Sequence, residues 1–261
     1  MPLGNHLREL RARVLRSVLA IIIGTIIGWI YYDQIFELLA QPITHVVDQA
    51  RAEGRDVQLV ITGVAQAFTL KLQIASLAGV IIASPIWIYQ LWRFVTPGLK
   101  PQERRWSMIF VVLAVPLFLL GVVLSYLVLP RALEVLFEFT PDGVANYLGI
   151  DTYLSFFTRV VLIFGVGFLT PLLIVGLNIF GVLTGKTLLS WWRVIIFGVF
   201  VFAAIATPTG DPVTMLQLAL PILILVSIAL GFCFLNDRRR ARNSTEPDYD
   251  QWDDNELSPI D

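Results

Sequence analysis

The sequence predicts an all-α polytopic membrane protein with six transmembrane helices in a concave, kinked bundle. The first observation is composition: of 261 residues, 56% are hydrophobic and only 15% are charged, whereas soluble domains carry about 25% charged residues. The second is a set of long runs without charge, and the third is a bias of arginine and lysine toward alternate connecting segments. The single cysteine, Cys233, excludes an internally disulfide-bonded secreted scaffold.

Each predicted helix is based on a charge-free run, because a membrane helix needs about 20 apolar residues. Residues 17–32 form the first run, and the helix extends beyond it if Arg16 and Asp33 lie at the interfaces. Runs of 21 to 26 residues follow for helices two, three, four and six. The six predicted helices cover residues 14–38, 67–92, 106–130, 153–180, 191–206 and 212–235, in one domain over 1–236.

Prolines and one short helix determine the predicted shape of the bundle. A proline removes a helical hydrogen bond and commonly kinks the helix. Four lie inside apolar runs, at Pro85, Pro116, Pro171 and Pro221. Helix five has only 13 strongly apolar residues, 194–206, which reach about 20 Å and fall short of a hydrocarbon core of about 30 Å. We therefore expect the bilayer to thin there, or the turn 207–212 to lie below the interface.

Arginine and lysine determine the predicted orientation, because cytoplasmic segments of membrane proteins are enriched in them. Fourteen of the 19 lie in the segments on one side and three on the other, so both termini are predicted to be cytoplasmic. Residues 1–30 resemble a signal peptide, but five further helices and the lack of a cleavage motif favour a retained first helix. The tail, 237–261, has seven acids and no base in its last sixteen residues and is predicted to be disordered.

The opposite side of the membrane carries two sizeable predicted loops, 33–66 and 131–152. Within the first, residues 57–61 are too short to span the membrane and are predicted to form an extended piece. Lys71 and Arg159 lie inside predicted helices, a turn or two from their outer ends. A charge at such a position can be functional, but we favour snorkelling of the long side chain to the lipid headgroups.

Two isolated acids lie on the predicted cytoplasmic side, Glu9 in the N-terminal segment and Glu103 beside Arg104. Glu9 and Arg13 are four residues apart, which is typical of a helical surface ion pair of small energy. Alternatively, two carboxylates on one surface could each bind a guanidinium through two hydrogen bonds. The residue pattern alone favours the ion pair.

No pattern indicates catalysis, a cofactor, a metal or a nucleic-acid partner. The segment 181–187 has three residues between its glycines where a nucleotide-binding loop has four, and it follows an apolar helix. His6 and His45 are isolated from other metal ligands. We therefore predict that the protein is not an enzyme. A small-molecule transporter or channel remains the alternative, although inverted repeats and polar sites at the membrane midplane are not visible.

Four motifs, in the right order, resemble the TatC family, the multispanning component of the twin-arginine (Tat) protein translocase. They are the residues HLRELRAR at 6–13, FVTPGLKPQERR at 94–105, YLSF at 153–156 and the turn TPTGD at 207–211. The resemblance covers about residues 5–235, with six helices and both termini inside. Two departures are Leu169, where many relatives carry a glutamate before the proline, and a turn that is one residue longer than the common form.

The resemblance implies Sec-independent protein export: a receptor in the bacterial cell membrane that binds twin-arginine signal peptides of folded cargo and uses the proton-motive force. It also implies single-span partners of the TatA and TatB type and self-association, and we hypothesise that helices five and six contact the partners. The implied site residues are Glu9 and Glu103 for the arginine pair, Phe94 and Pro97 in the loop that shapes the site, the N-terminal bases Arg11 and Arg13, and Asp151 and Asp211 on the far face.

Overall fold

Ten helices and two short strands form the part of the chain that the structure describes. The structure is a computed structural model, and it describes residues 3–54, 57–61, 63–95, 104–138, 146–206 and 212–243. In chain order the elements are α1 (Leu3–Ile30), α2 (Tyr32–Ala52), β1 (Val57–Val60), α3 (Gln66–Ile82), α4 (Ser84–Val95), α5 (Arg104–Glu138), β2 (Asn146–Gly149), α6 (Ile150–Gly167), α7 (Thr170–Ile179), α8 (Gly185–Ser190), α9 (Trp192–Ala206) and α10 (Pro212–Asn243).

The apolar helices confirm a multi-pass, all-α membrane protein. Four helical stretches are long and apolar enough to cross a membrane: Leu7–Ile30, Met108–Arg131, Ile150–Ile179 and Met215–Arg239. Together α3 and α4 pass the same test as a pair bent by 59°. The sixth stretch, α9, has 15 residues and is about 22 Å long. The helix breaks before α4 and α7 lie next to Pro85 and Pro171, whereas Pro116 and Pro221 lie inside α5 and α10.

The chain turns at Tyr31, so the helix predicted over 14–38 is divided between α1 and α2. Buried residues of α2 recur every three or four positions, as on one face of an amphipathic helix, at Leu39, Ile43, Val46, Val47 and Ala50. α2 therefore packs on the bundle through one face, against α3 and α5. The segment 33–66, predicted to be a loop, is helical as far as Ala52.

The two strands pair in parallel, with Val57 opposite Asn146 and Val60 opposite Gly149. This pairing confirms the extended piece predicted at 57–61, and it joins the two segments predicted to be loops. Arg51 Nε donates a hydrogen bond to the Val57 carbonyl at 2.9 Å, which ties the end of α2 to β1.

Glycines allow two pairs of helices to approach closely, as is common where membrane helices pack. A Cβ on Gly24 would lie 2.7 Å from the carbonyl oxygen of Gly79, and one on Gly28 would lie 2.8 Å from that of Ala75. α1 is therefore antiparallel to α3, with their backbones in contact. Similarly, a Cβ on Gly121 of α5 would lie 2.7 Å from the carbonyl oxygen of Phe164 in α6.

The last helix, α10, continues beyond its apolar part to Asn243. Residues 237–243 of the predicted tail therefore extend the helix. The remaining tail residues, 244–261, lie outside the described residues.

Candidate functional site

The candidate site lies at the end of the bundle where α1 begins and α4 ends. The contacts of Gly24 with Gly79 and of Gly28 with Ala75 define an antiparallel register. Followed toward the N-terminus of α1, this register leads past the end of α3 to α4, against which α1 also packs. The structure therefore brings the first turns of α1, which contain Glu9, to the same end of the bundle as Phe94.

Glu9 and Arg13 form the ion pair predicted from their spacing, between Glu9 Oε1 and Arg13 Nη2. The Arg13 side chain is only 9% exposed, whereas that of Glu9 is 36% exposed. Within the described residues, Nε and Nη1 of Arg13 are buried and have no hydrogen-bond partner. The buried Arg13 guanidinium is thus paired with a carboxylate that is partly exposed at the surface.

Stacked aromatic rings fix the end of α4. Trp92 stacks on Phe110 of α5, with ring centroids 4.3 Å apart and planes 7° apart, and its ring also lies 6.1 Å from that of Phe180. Next to it, Arg93 Nη1 donates a hydrogen bond to the Tyr89 hydroxyl at 3.3 Å. The rings join α4 to α5 and to the end of α7, so Phe94 lies two residues after a rigidly packed tryptophan.

Of the other predicted site residues, Arg11 is exposed and Phe94 is half-buried. Pro97, Glu103 and Asp211 lie outside the described residues. Asp151 lies at the opposite end of the bundle, in the first turn of α6, where a negative charge is favourable because of the helix dipole. Thus Glu9, Arg11, Arg13 and Phe94 share one end of the bundle, and Asp151 is separate from them.

Lys71 is held by two aromatic rings. Its Nζ lies 5.0 Å from the ring centroid of Trp29 and 4.9 Å from that of Tyr32, within the range of a cation–π interaction. Burial raises the pKa of Tyr32, and the neighbouring Asp33 carboxylate adds to this rise. Arg159, which also lies inside a predicted helix, is exposed.

A polar cluster that sequence reasoning missed joins α7, α8 and α10. Asn178 Nδ2 donates hydrogen bonds to Asp237 Oδ1 and to the Leu183 carbonyl, both at 2.9 Å. The Gly185 amide donates to Asp237 Oδ2 at 2.6 Å, and Asn236 Nδ2 donates to Asn178 Oδ1 at 3.0 Å. The only sequence signal was one asparagine in an apolar helix, and it does not identify partners 58 and 59 residues away.

Leu169, the first of the two departures from the family resemblance, is buried among apolar side chains. It packs with Ile88, Ala114 and Phe118. Because Leu169 is apolar, its side chain requires no hydrogen-bond or ion-pair partner at this buried position. Within the described residues, no group of three or more histidine, cysteine, aspartate or glutamate residues could hold a metal ion.

Comparisons with known proteins identify the family. The family model described as Sec-independent protein translocase protein (TatC) matches residues 5–221. TatC of Frankia casuarinae is 43% identical over all of this chain and 73% of its own length, and TatC of Xylanimonas cellulosilytica is 40% identical over 94% of this chain and 87% of its own. A crystal structure of the twin-arginine translocase receptor TatC has a TM-score of 0.74 and 34% identity, covering 89% of this chain and 100% of the other. The chain therefore belongs to the TatC family of Sec-independent protein translocase components.

Proposed function

We propose that this translocase component is the receptor for the twin-arginine signal peptides of folded cargo. The observation that carries the proposal is the Glu9–Arg13 pair, in which a partly exposed carboxylate already binds a guanidinium. The similar crystal structures are described as twin-arginine translocase receptors. In our proposal, Glu9 and Glu103 each bind one arginine of the signal.

Arginine is favoured over lysine at such a site because its planar guanidinium can donate two parallel hydrogen bonds to one carboxylate. Arg13 holds and orients the acid in α1, and Arg11 contributes a positive charge to the exposed surface beside it. Phe94, near the end of α4, and Pro97, beyond it, shape the site. The apolar stretch of the signal then lies along the kinked bundle. We assign Asp151 and Asp211 to a separate functional site on the far face.

We infer that the protein lies in the bacterial cell membrane with both termini in the cytoplasm. The distribution of basic residues supports this orientation, with 14 bases on the proposed cytoplasmic side against three on the other. The segment 181–187 does not match a nucleotide-binding loop. This is consistent with export that is driven by the proton-motive force and not by nucleotide hydrolysis.

Crosslinking of a signal peptide tests the receptor proposal. A photoreactive twin-arginine precursor is presented to membranes that contain the wild type or the double variant Glu9→Gln, Glu103→Gln. We expect crosslinking to fall at least about tenfold, because the loss of both charge-assisted partners exceeds about 1.4 kcal/mol. Glu37→Gln, which removes an exposed acid from α2, is the matched control. Unchanged recognition in the double variant, with Glu37→Gln also unchanged, would refute the site.

We propose that α9 carries a contact with TatA- or TatB-type single-span partners, and that copies of the chain also associate with one another. The outward side chains Val194, Phe197 and Ile205 are 62%, 70% and 78% exposed. Between them, a Cβ on Gly198 would meet nothing within 4 Å, so another helix can approach the backbone closely. The short length of α9 also favours helix association in a bilayer of normal thickness.

Gly198→Leu tests this contact, because a bulky side chain at the centre of the face prevents close approach. We expect disulfide or photo-crosslinking to the partner helix to fall severalfold, while the amount of protein in the membrane stays at the wild-type level. Val112→Leu on the exposed side of α5 is the control. Equal partner crosslinking in the wild type and Gly198→Leu would exclude α9 as the contact.

A further inference from the structure

An apolar groove of about 450 Å³ lies between α2, α3, α5 and α6. Its lining is entirely aliphatic or aromatic and includes Leu38 of α2, Ile82 of α3, Val123 of α5 and Phe157 of α6. Three of these four helices belong to stretches that are apolar enough to cross a membrane. The groove is therefore within reach of the hydrocarbon chains of the bilayer.

Two tyrosine hydroxyls hold α2 in position beside this groove. Tyr126 of α5 donates a hydrogen bond to the Leu38 carbonyl at 3.1 Å. Tyr153 of α6 donates to the Leu39 carbonyl at 2.9 Å, and this bond is buried. Because these bonds fix the backbone of α2 to two membrane helices, they maintain the groove and use the polar atoms of both tyrosines.

The size of the groove indicates what can occupy it. An α-helix is about 10 Å across, so two of its turns fill roughly 850 Å³. The groove is smaller than this and open on one side, so a helix could enter it with one face only, whereas a single extended hydrocarbon chain fits inside.

A cation lies near the groove. Lys71 Nζ is held against Tyr32, which precedes the groove residue Ile35 by one helical turn. On α3, Lys71 lies two turns, about 10 Å, before Ala78, which also lines the groove. The nearest acid in sequence to Tyr32 is the exposed Asp33, and no carboxylate within the described residues forms an ion pair with Lys71.

We propose that this groove is a binding site for one anionic phospholipid, with an acyl chain between α2, α3 and α5 and the phosphate on Lys71. The Trp29 and Tyr32 rings orient the ammonium and provide an aromatic surface at headgroup level, where tryptophan and tyrosine are enriched in membrane proteins. The lipid then fills the space beneath α2 and supports its packing on the bundle. The site is independent of the signal-peptide site at the other end of α1.

Native mass spectrometry of the purified full chain tests the proposal, with phosphatidylglycerol and phosphatidylcholine of identical acyl chains as probes. We expect the wild type to retain one phosphatidylglycerol about fivefold more tightly than phosphatidylcholine, the factor typical of one lysine near a lipid surface. Lys71→Gln should lose this preference but still bind a lipid. Val123→Trp should fill the groove and lose the retained lipid of either kind.

Val112→Trp is the matched control, because Val112 lies on the same helix, is similarly exposed (62% against 56% for Val123) and does not line the groove. It should bind lipid as the wild type does. Retention of lipid by Val123→Trp, or an unchanged headgroup preference in Lys71→Gln, overturns the proposal. If a signal peptide but not phosphatidylglycerol shields Val123→Cys from a maleimide, in a Cys233→Ala background, the groove is a peptide site and the proposal is also overturned.

Discussion

Two glycines show how differently two regions of this membrane protein are packed. A Cβ on Gly79, where α3 meets α1, would lie 2.6 Å from the amide nitrogen of Thr25 and 2.8 Å from the carbonyl oxygen of Ile21. On Gly198, in the exposed α9, a Cβ would meet nothing within 4 Å. The first glycine is needed because the chain packs on itself there, whereas no described residue fills the space beside the second.

The two regions also differ in how they are held. The half that contains α1, α3, α5 and α6 is joined by backbone contacts at glycines and is covered by α2. α9 packs mainly on α10, and the preceding helix α8 is joined to α10 by Asp237. A polar anchor at one end therefore positions a helix whose outer face stays open. This arrangement leaves the outer face of α9 available for the partner contact proposed above.

Gly79→Val breaks the packed region and should have the largest effect. The added atoms meet the backbone of α1, which cannot rotate away as a side chain could, so we expect a loss of at least about 3 kcal/mol of stability. The measurement is thermal unfolding in detergent, followed by fluorescence-detected gel filtration. Gly198→Val should unfold within about 0.5 kcal/mol of the wild type. Similar losses in both variants would contradict the comparison.

Asp237→Ala tests the anchor of the open region. It removes the acceptor of two hydrogen bonds and leaves the buried Asn178 amide with one fewer partner, at a cost of about 2–3 kcal/mol. Proteolysis between α7 and α9 should accelerate, because α8 loses its bond to α10. The rates of proteolysis of the wild type and of Asp237→Ala are compared on the purified full chain.

Asn236→Ala is the graded control for that anchor. It removes a single neutral hydrogen bond to Asn178, for which about 1 kcal/mol is expected. An equal or larger loss in Asn236→Ala would mean that the carboxylate of Asp237 does not dominate the cluster.

Tyr153→Phe and Tyr126→Phe test how α2 is held over the packed region. Loss of the buried hydrogen bond from Tyr153 leaves the Leu39 carbonyl with its helical bond only. Because water cannot replace the hydroxyl at a buried position, we expect a loss of about 1 kcal/mol. Tyr126 bonds the Leu38 carbonyl at an exposed position, where water can replace it, and its loss should cost less. Hydrogen exchange of α2 amides reports the difference, and faster exchange in Tyr126→Phe than in Tyr153→Phe would reverse the assignment.

Hydropathy predicted the apolar helices because burial in lipid requires length and lack of charge, and both are properties of one segment. Hydropathy did not predict the break at Tyr31. Because α2 is amphipathic, the charged residues of its polar face lower the hydropathy of the segment to a value typical of a loop. The parallel pairing of β1 with β2 joins segments about 90 residues apart, and only the packing of α2, α5 and α6 brings them together.

In the candidate site, too, features set within one helix were predictable from the sequence, and features set by packing between helices were not. The Glu9–Arg13 pair was predictable because it lies within one helix at a spacing of four. The burial of Arg13 was not, because it depends on how α1 packs against its neighbours. Lys71 was expected to reach the headgroups, but its position between Trp29 and Tyr32 depends on the turn that separates α1 from α2.

Gln73→Leu is the smallest perturbation of the packed region and the sharpest test of how it is held. Gln73 Nε2 donates hydrogen bonds from α3 to the hydroxyls of Ser155 and Thr158 in α6, at 3.3 Å and 3.2 Å. Such contacts between membrane helices contribute only about 0.6 kcal/mol, far less than the glycine contacts. We expect Gln73→Leu and Thr158→Val to destabilise by about that amount each, with a coupling of similar size in the double variant. A coupling above about 2 kcal/mol in thermal unfolding would mean that polar contacts, and not the close approach of backbones, hold this region together.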